Sequence, residues 1–404
     1  MAQTGSIAQA ADRLRRAQSA LSRSVRELET LLGVSLFERH RTGMVPTRFA
    51  EALLARGQQV AAELQAVHGD FEALSGRRLG AAPLLFLSMA VDNSRLAALI
   101  AMFEERNMAS AARHIGVTQP AVSASIHHLE AGLGVRLFDR TPVGMKPTLF
   151  GESLAMRAKR AFAELRHAES DISALKGALR GRVTVGALPF GRTIILPRAI
   201  DRLLREHPGL HVSTIEGPYD TLAVGLRSGD IDFIFGALRE RTASEALEGE
   251  IVIEDCLSVL ARRGHPLASR RRLRLEDLVA CHWVLPRHGT PARKLFESML
   301  VRRGLASPKS VVESSSLAIV RALLMDSDRV TVLSRHQVHY ELQYGMLTAL
   351  PVELSETWRP IGIIQRTGAK PSPGGARLMA LLHEVAASLA KETGIFTRRR
   401  SGAR

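Results

Sequence analysis

The chain has 404 residues, of which 46% are hydrophobic, and this is enough for two or three domains with complete cores. Its net charge of +15 is typical of a protein with an anionic partner such as nucleic acid, although the basic residues are spread along the whole chain. Two cysteines are too few for a disulfide scaffold or a cysteine-rich zinc site, and they fit a reducing compartment.

The start of the chain does not have the pattern of a secretory signal peptide. Asp12, Arg13, Arg15 and Arg16 stand where such a signal needs an apolar core. The most apolar stretch, Ala81–Ala90, is far too short to cross a bilayer, and we expect a linker or a short buried element there. We therefore predict a cytoplasmic protein without a membrane partner.

The first 75 residues are repeated later in the chain at a constant offset of 101 residues, without a gap. Between Gly5–Leu74 and Arg106–Leu175, 29 of the 70 residue pairs are identical. This indicates an internal duplication of one supersecondary unit, and two copies are too few for a solenoid. The identical pairs include Gln18 and Gln119, Ser22 and Ser123, Leu28-Glu29 and Leu129-Glu130, Arg39 and Arg140, and Thr47 and Thr148.

The second repeat has the pattern of a helix-turn-helix between Asn107 and Gly151. Gly116 breaks a first short helix, Thr118 is a good N-cap, and Pro120 falls in the first turn of a second helix, where a missing N–H costs nothing. A tight turn between two short helices is the hallmark of this motif, whose second helix enters the major groove of DNA. One face of the second helix is an apolar stripe formed by Val122, Ile126, Leu129 and Leu133.

The elements that follow extend the motif. Gly134–Arg140 is predicted to be a strand, and Thr141–Pro147 a turn-rich wing beside the phosphate backbone. Thr148 then caps a long helix from Leu149 to about Leu175. This order resembles the LysR-type transcriptional regulators. The resemblance rests on Ala111-Ala112, Thr118-Gln119-Pro120-Ala121-Val122-Ser123, Leu129-Glu130, Leu137-Phe138, Arg140, Thr148 and Gly151-Glu152.

The resemblance implies a regulator that binds a double-stranded DNA operator, assembles as a homotetramer (a dimer of dimers) and contacts RNA polymerase. We expect Gln119 and Ser123 to face bases, Pro120 and His127 to lie beside them, and Arg140 and Lys146 to hold phosphates. The long helix is predicted to pair two chains through an apolar seam formed by Leu154, Ala158, Ala161, Leu165, Ala168, Ile172 and Leu175.

The first repeat departs from the family pattern in two ways. It has no room for a helix equivalent to Leu96–Glu105, and Arg15-Arg16 replace Gly116-Val117 at the turn. Two interpretations remain open. The repeat is a second DNA contact, or it is a truncated copy for packing and dimerisation, which the missing helix favours. On the first interpretation, the DNA-contacting residues of this repeat are Gln18, Ser22, Arg23, Arg26 and Arg39. This set is more basic than the equivalent residues of the second repeat.

After Arg180-Gly181-Arg182, strands alternate with helices, which is typical of a parallel α/β sheet. The predicted strands are Val183–Ala187, Leu210–Ile215, Ile231–Phe235, Leu257–Ala261, Trp283–Leu285, Lys309–Val312, Val330–Leu333 and Ile361–Gln365. The predicted helices are Ile194–Glu206, Thr221–Ser228, Pro291–Arg303, Leu317–Met325 and a last one from about Gly375 to Lys391.

This region resembles the LysR-type effector domain. The landmarks are Val185-Gly186, Leu196-Pro197, His207-Pro208, Leu226 with Gly229 and Asp232, and His265-Pro266-Leu267. The resemblance implies a two-lobed fold like that of periplasmic binding proteins. We expect the chain to cross to the second lobe near Ala261 and to return near Arg359.

Ligands of such folds bind at the carboxyl ends of the strands, between the lobes. Thr193, Ser314 and Ser315 are predicted to begin helices, whose free N–H groups favour an anion, and Arg192, Arg287 and Arg335 add positive charge. We therefore predict a small anionic effector, an aromatic or sugar acid. The predicted effector-binding residues are Phe190, Arg192, Thr193, Tyr219, Arg287, Ser314 and Ser334.

The chain contains no catalytic motif and no metal-ligand spacing, so we predict neither an enzyme nor a cofactor. Cys256 and Cys281 are expected to be structural rather than a redox switch. The predicted fold is an all-α winged helix-turn-helix in two copies, the first truncated, followed by an α/β two-lobed effector domain. An alternative is a small-molecule-binding protein that regulates through protein contacts without specific DNA binding. The predicted boundaries are 1–80, 91–180 and 181–395, with one lobe at about 182–260 and 359–392 and the other at about 261–358.

Overall fold

The computed structural model describes residues 1–2, 4–40, 43–76, 93–142, 144–239, 246–308 and 311–393, with the backbone alone at Arg39 and Asn93. Two compact units result. The first unit comprises Met1–Gly181 with Arg227–Asp230 and Pro371–Gly374, and the second comprises Arg182–Leu226, Ile231–Lys370 and Gly375–Arg404. The predicted linker Ala81–Ala90 lies outside the described residues.

The two repeats have the same order of elements: two short helices, a two-stranded antiparallel hairpin and a long helix. In the first repeat these are α1 (Ile7–Leu14), α2 (Gln18–Leu32), β1 (Phe37–His40), β2 (Gly43–Pro46) and α3 (Arg48–Ser75). A further helix, α4 (Asn93–Glu105), precedes the second repeat. The second repeat contains α5 (Met108–Ile115), α6 (Gln119–Leu133), β3 (Phe138–Thr141), β4 (Gly144–Pro147) and α7 (Leu149–Leu175).

Two predictions for the wing region of the second repeat are corrected. The predicted strand from Gly134 is wrong in its first half, because Gly134 ends α6 at a φ of 69° and the strand begins only at Phe138. The predicted loop Thr141–Pro147 contains the second strand of the hairpin. The long helix α7 has the predicted bounds, because the Thr148 hydroxyl accepts a hydrogen bond from the Gly151 N–H and caps it.

Equivalent residues of the two repeats make equivalent bonds. The Glu29 carboxylate accepts a hydrogen bond from the Leu36 N–H at 2.7 Å, and the Glu130 carboxylate accepts one from the Leu137 N–H at 2.8 Å. These carboxylates fasten the second short helix to the hairpin in each repeat. Further matched bonds run from Met44 N–H to the Gly5 carbonyl, from Met145 N–H to the Arg106 carbonyl, and from Thr47 and Thr148 to the Leu36 and Leu137 carbonyls.

The repeats differ in how well their second helices are buried. In α6 the apolar stripe from Val122 to Leu133 is buried, and α4 contributes Leu99 and Met102 to the same core. No residue of α2 is fully buried, and Leu21 and Val25 on its equivalent face are partly exposed. No counterpart of α4 covers this face among the described residues, which explains the difference.

The long helices α3 and α7 pack against each other in antiparallel orientation. Arg48 at the start of α3 donates a hydrogen bond to the carbonyl of Leu175 at the end of α7. The seam predicted to pair two chains therefore has an intrachain partner. Most of the seam is buried, whereas Leu165 is 37% exposed.

The second unit contains two five-stranded sheets. The first sheet has the strand order β6-β5-β7-β14-β8 and the second β11-β10-β12-β9-β13. The strands are β5 (Gly181–Ala187), β6 (Leu210–Glu216), β7 (Phe233–Ala237), β8 (Leu247–Asp255), β9 (Leu257–Arg262), β10 (Trp283–Leu285), β11 (Val311–Glu313), β12 (Val330–Ser334), β13 (Leu347–Ala349) and β14 (Arg359–Arg366). The helices are α8 (Ile195–Glu206), α9 (Tyr219–Ser228), α10 (Pro291–Arg302), α11 (Leu317–Met325), α12 (His339–Gln343) and α13 (Pro373–Thr393).

Both sheets are mixed, so the predicted parallel α/β sheet is corrected: each sheet contains parallel and antiparallel strands. β14 runs antiparallel to β7 and β8, and β9 runs antiparallel to β12 and β13. The chain crosses from the first sheet to the second at Cys256, five residues before the predicted Ala261, and returns at Arg359. The predictions missed β8 and β13. In β8, charged residues at Glu248, Glu250 and Glu254 obscured an edge strand.

Candidate DNA-binding surface and effector cleft

The exposed face of α6 and the hairpin β3–β4 form one continuous surface. Gln119 in the first turn of α6 is exposed, and so is His127 two turns later. Gln119 and Arg140 line a shallow groove of about 320 Å³, together with Thr141 and Gly144 of the hairpin. The structure therefore brings a predicted base-contacting residue and a predicted phosphate-binding residue to the same surface.

The other predicted residues of the second repeat lie on or beside this groove surface. Lys146 on β4 is exposed, and the backbone pairs it with Asp139 on β3. Pro120 is exposed in the first turn of α6, whereas Ser123 is only partly exposed. Of the two predicted phosphate-binding residues, Arg140 lines the groove with Gln119, whereas Lys146 is exposed on β4.

The equivalent face of α2 is also exposed. Gln18, Arg23 and Arg26 are exposed, and Ser22 is partly so. A surface groove of about 660 Å³ is lined by Ser22, Arg23 and Arg26 together with Glu27, whose carboxylate lies 2.9 Å from the Arg23 guanidinium. The side chain of Arg39 lies outside the described residues.

Two ion-pair clusters join α3 to α7, and the predictions missed both. The Arg56 guanidinium lies 2.9 Å from Glu164 and 2.7 Å from Asp171. The Arg157 guanidinium lies 3.0 Å from Glu63 and 2.7 Å from Asp70. The sequence does carry a signal for them. Arg56, Glu63 and Asp70 recur every seven residues, and the same three residue types recur at Arg157, Glu164 and Asp171.

These contacts shift the pKa values of Arg56 and Asp70. Burial lowers the pKa of the Arg56 guanidinium, but hydrogen bonds to Asp171 and Glu164 outweigh burial, so the pKa is raised overall. The hydrogen bond from Arg157 holds the pKa of Asp70 below its usual value against the opposing effect of burial, and Ser153 donates a second bond. These shifts favour the charged forms of Arg56 and Asp70.

In the second unit, the loop after β5 meets the segment after β12. The Thr193 hydroxyl donates a hydrogen bond to the Gln337 carbonyl at 3.0 Å. The ring of Phe190 lies edge-on to that of His336, with centroids 5.7 Å apart. Burial lowers the pKa of His336, which favours a neutral imidazole at this contact. Phe190 and Thr193 therefore lie where the two sheets face each other.

Two predicted effector-binding residues of the first sheet are engaged elsewhere. The Arg192 guanidinium donates to the Ala187 carbonyl and lies 3.1 Å from Glu216, so it links the ends of β5 and β6. Tyr219, the first residue of α9, is buried in a hydrophobic core, and the Arg239 guanidinium lies 4.0 Å from its ring centroid. The structure thus places Tyr219 in packing rather than on an open cleft wall.

Arg287 and Ser314 follow the carboxyl ends of the parallel strands β10 and β11, and Ser334 is the last residue of the neighbouring parallel strand β12. Arg287 is exposed. Ser334 is fully buried, and its hydroxyl donates to Asp255 at 2.6 Å. These three residues share one sheet edge, but the Ser334 hydroxyl is already bonded within the protein.

The predicted helix starts near this edge are corrected. Ser316, rather than Ser314 or Ser315, caps α11 by accepting a hydrogen bond from Ile319. Thr193 precedes α8, which begins at Ile195 and has no side-chain cap. The free N–H groups expected directly at Thr193, Ser314 and Ser315 are therefore displaced along the chain by one to three residues.

The crossover between the sheets contains a buried ion pair that the predictions missed. The Arg359 guanidinium lies 3.0 Å from the Asp255 carboxylate, which also accepts the hydrogen bond from Ser334. This cluster joins the end of β8, the end of β12 and the start of β14, so it fixes both crossover strands next to the cleft edge.

The two cysteines are partly buried free thiols. Burial raises the pKa of both thiols, and Cys256 also donates a hydrogen bond to the Leu354 carbonyl. Such thiols are poor nucleophiles, which agrees with a structural role. Within the described ranges, no group of His, Cys, Asp or Glu side chains is arranged to hold a metal ion. None of the helices described has an apolar run long enough to span a membrane.

A helix-turn-helix with a wing, connected by a long helix to a domain of two sheets, defines a regulator with a DNA-binding domain and a substrate-binding domain. A family model described as "Bacterial regulatory helix-turn-helix protein, lysR family" matches residues 1–51 and 94–152. A second model, "LysR substrate binding domain", matches residues 176–387. The chain belongs to the LysR family of transcriptional regulators.

Individual relatives agree with this assignment. The HTH-type transcriptional regulator GalR of Pseudomonas putida is 44% identical over 385 residues, which are 95% of this chain and 94% of GalR. The structure of full-length OxyR from Pseudomonas aeruginosa has a TM-score of 0.55 at 24% identity and covers 72% of this chain and 93% of OxyR. Full-length CbnR complexed with its target DNA has a TM-score of 0.52 at 22% identity and covers 72% of this chain and 98% of CbnR.

The coverage differs between these relatives. The match to GalR extends over 95% of this chain, so it includes most of both repeats. OxyR and CbnR are matched over nearly their whole length, but they account for only 72% of this chain. The curated relatives are named as transcriptional regulators and not as enzymes.

Proposed function

We propose that this regulator acts in the cytoplasm on nearby metabolic genes, by binding a double-stranded operator with its second repeat and a small anionic effector in its second unit. The proposed domains are 1–80, 91–180 and 181–395. The observation that supports DNA binding best is the shared surface of Gln119 and Arg140, because it presents an amide donor and acceptor beside an exposed cation.

On this surface, α6 enters the major groove with Gln119 and Ser123 toward base edges. An amide side chain can bond bidentately to adenine, and this supplies sequence discrimination. Pro120 and His127 complete the face of the helix. Arg140 and Lys146 bind phosphates on the wing, which fixes register without adding sequence information.

A gel-shift series over several salt concentrations tests these roles. Gln119→Ala removes only base contacts, so it should lower affinity for the operator about tenfold while sparing non-specific DNA. The matched variant Lys146→Ala should weaken binding to both DNAs and reduce the salt slope by about one unit. Equal loss of specific and non-specific binding in Gln119→Ala would contradict the base-contact role. A chain that regulates without any operator binding would favour action by protein contact alone.

For the second unit, we propose that the effector binds between the sheets, near Phe190 and Thr193 on one side and the loops at Arg287 and Ser314 on the other. The Thr193–Gln337 and Phe190–His336 contacts support this location, because a ligand that changes them changes how the two sheets close. Arg192, Tyr219 and Ser334 pack behind the residues that line the cleft and so determine its shape. A ligand that prefers one closure state would shift the population of states and with it the contact with RNA polymerase.

The effector proposal is tested with Thr193→Val, which removes the hydroxyl and preserves the shape of the side chain. The response of transcription to a panel of aromatic and sugar acids should disappear in this variant, while operator binding without ligand persists. The exposed Thr367 near the opposite end of β14 provides the matched control variant, Thr367→Val. Unchanged induction in Thr193→Val would place the ligand elsewhere.

A further inference from the structure

The ion-pair clusters between α3 and α7 are reciprocal. Arg56 and Arg157 are equivalent residues of the two repeats, as are Glu63 and Glu164, and Asp70 and Asp171, each pair being separated by the same offset. In each case the arginine of one repeat binds the glutamate and aspartate of the other. Such reciprocal contacts are the signature of a two-fold symmetric interface, in which residue i meets residue j and j meets i.

Further contacts run between the repeats in both directions. Val67 and Phe71 near the end of α3 belong to the core of the second repeat, where the Phe71 ring lies edge-on to that of Phe150, with centroids 5.0 Å apart. Near the other end of the pair, Lys176 just after α7 donates a hydrogen bond to the Leu32 carbonyl of the first repeat. Each repeat therefore receives the end of the other repeat's long helix.

This interface uses the side of α7 that was expected to join two chains. The Arg56 side chain is 5% exposed and its partner Glu164 is 8% exposed. A second chain that packed on this side would have to displace α3 and leave these charges without partners. Leaving a buried charge unpaired strongly destabilises a protein. Self-association of chains must therefore use other surfaces.

We propose that one chain forms a complete pair of DNA-binding repeats, related by the two-fold α3–α7 interface, and that this pair binds an unsymmetrical operator with two unlike half-sites. The proposal rests on the proposed function of the second repeat. It adds that α2 is a second recognition helix, and that one chain supplies the two recognition helices for which a symmetric dimer needs two chains.

The operator is expected to be unsymmetrical because the two exposed faces differ. Both helices begin with glutamine, at Gln18 and Gln119, but α2 continues with Arg23 and Arg26 where α6 has Ala124 and His127. Arginine can bind guanine bidentately and always carries a charge that a phosphate can pair with, whereas alanine has no polar group and histidine lacks the paired donors of a guanidinium. The half-site under α2 should therefore be the richer in guanine or the more sensitive to salt.

Crosslinking in the full chain tests whether the pairing is intrachain. Asp70→Cys with Ser153→Cys places thiols at two side chains that are hydrogen-bonded across the interface, in a background with Cys256→Ser and Cys281→Ser. Oxidation should give a crosslinked single chain whose yield is independent of protein concentration. Mixing chains that carry one cysteine each should give no crosslinked dimer. A dimer in the mixture, or crosslinking that requires high concentration, would overturn the proposal.

A second pair keeps this test informative if the first variant folds poorly. Arg48→Cys with Leu175→Cys lies at the ends of the two helices, where the arginine side chain reaches the carbonyl of the leucine. Arg48 is exposed and Leu175 is partly exposed, so neither change opens a core. A short bis-maleimide should link these positions within one chain and not between chains.

The DNA part is tested by selecting binding sites from random duplexes with the full chain, followed by footprinting. Two unlike half-sites are expected. Gln119→Ala should relax the sequence preference in one half, and Gln18→Ala in the other, each with about tenfold weaker binding. Arg23→Ala with Arg26→Ala should reduce the salt slope by about two units. An unchanged footprint and affinity in all α2 variants, or two identical half-sites, would overturn this inference. Failure of the unsubstituted chain to select any site would instead contradict the proposed function.

Discussion

At the residue scale, the turn between the two short helices requires one residue in the left-handed region of backbone space in each repeat. Gly116 takes this place in the second repeat at a φ of 69°, and Arg15 takes the equivalent place in the first at a φ of 50°. Glycine adopts this conformation freely, whereas a residue with a Cβ pays about 1 kcal/mol. The same turn conformation therefore costs more free energy in the first repeat.

Arg15→Gly should accordingly stabilise the protein by about 1 kcal/mol, which urea denaturation followed by circular dichroism would measure. Gly116→Ala is the matched control and should destabilise by a similar amount. Apart from its immediate chain neighbours, none of the residues that the structure describes has an atom within 4 Å of an added Cβ at Gly116, so the control measures backbone strain without a clash. Destabilisation by Arg15→Gly would show that the arginine side chain contributes more than its backbone strain costs.

Single residues also explain which elements were predictable. Thr148 caps α7, and no proline interrupts the helix, so its bounds follow from local signals. Gly134 was assigned to a strand because an apolar run follows it, although glycine after a helix commonly occupies the left-handed cap. Tyr219 was placed in the cleft by its position after β6, but its burial under Arg239 depends on tertiary packing that no local pattern encodes.

At the scale of elements, the partner of α7 could not be identified from the sequence. An apolar seam shows that a helix packs against something, and a helix of the same chain or of a second chain satisfies it equally. The heptad-spaced charges at Arg56, Glu63 and Asp70 contained the missing information, because their repetition in α7 is complementary only when the two helices run antiparallel.

The pH dependence of stability should report one of these charges. Because Arg157 holds the pKa of Asp70 below its usual value of about 3.9, the unfolded state binds this proton more readily than the folded state. The stabilisation is thus complete above about pH 4 and is lost as the pH falls through the lowered pKa of the folded state. Asp70→Asn should reduce the free energy of unfolding at pH 7, and its difference from the unsubstituted chain should shrink below about pH 4.

Unfolding curves at pH 7 and pH 3 would measure this difference. The exposed Asp12 provides the control variant, Asp12→Asn. A difference for Asp70→Asn that is the same at both pH values would show that the lost stability is packing and not the ion pair with Arg157.

At the scale of the whole molecule, the chain consists of two compact units with separate cores. The core of the first unit, which includes residues of α5 and α6, shares no buried residue with the cores that pack on the sheets of the second unit. A ligand that binds only one unit should therefore stabilise that unit by mass action.

Calorimetry of the full chain with an acid from the effector panel tests this expectation. At a ligand concentration one hundred times Kd, the second unit should gain about 2.7 kcal/mol and its transition should move to higher temperature. Operator DNA should move the other transition. Movement of both transitions by the same small acid would show that the two units unfold as one.

The intrachain pairing of α3 with α7 has a consequence for the cell. Pairing within one chain is a unimolecular event, so the paired repeats persist however few copies a cell contains, whereas a pair of separate chains dissociates on dilution. A mutation in a symmetric dimer changes both halves together. Here a mutation in α2 leaves α6 unchanged, so, on the proposal that α2 is a second recognition helix, one gene encodes the equivalent of a heterodimer whose two halves can diverge toward different DNA sequences.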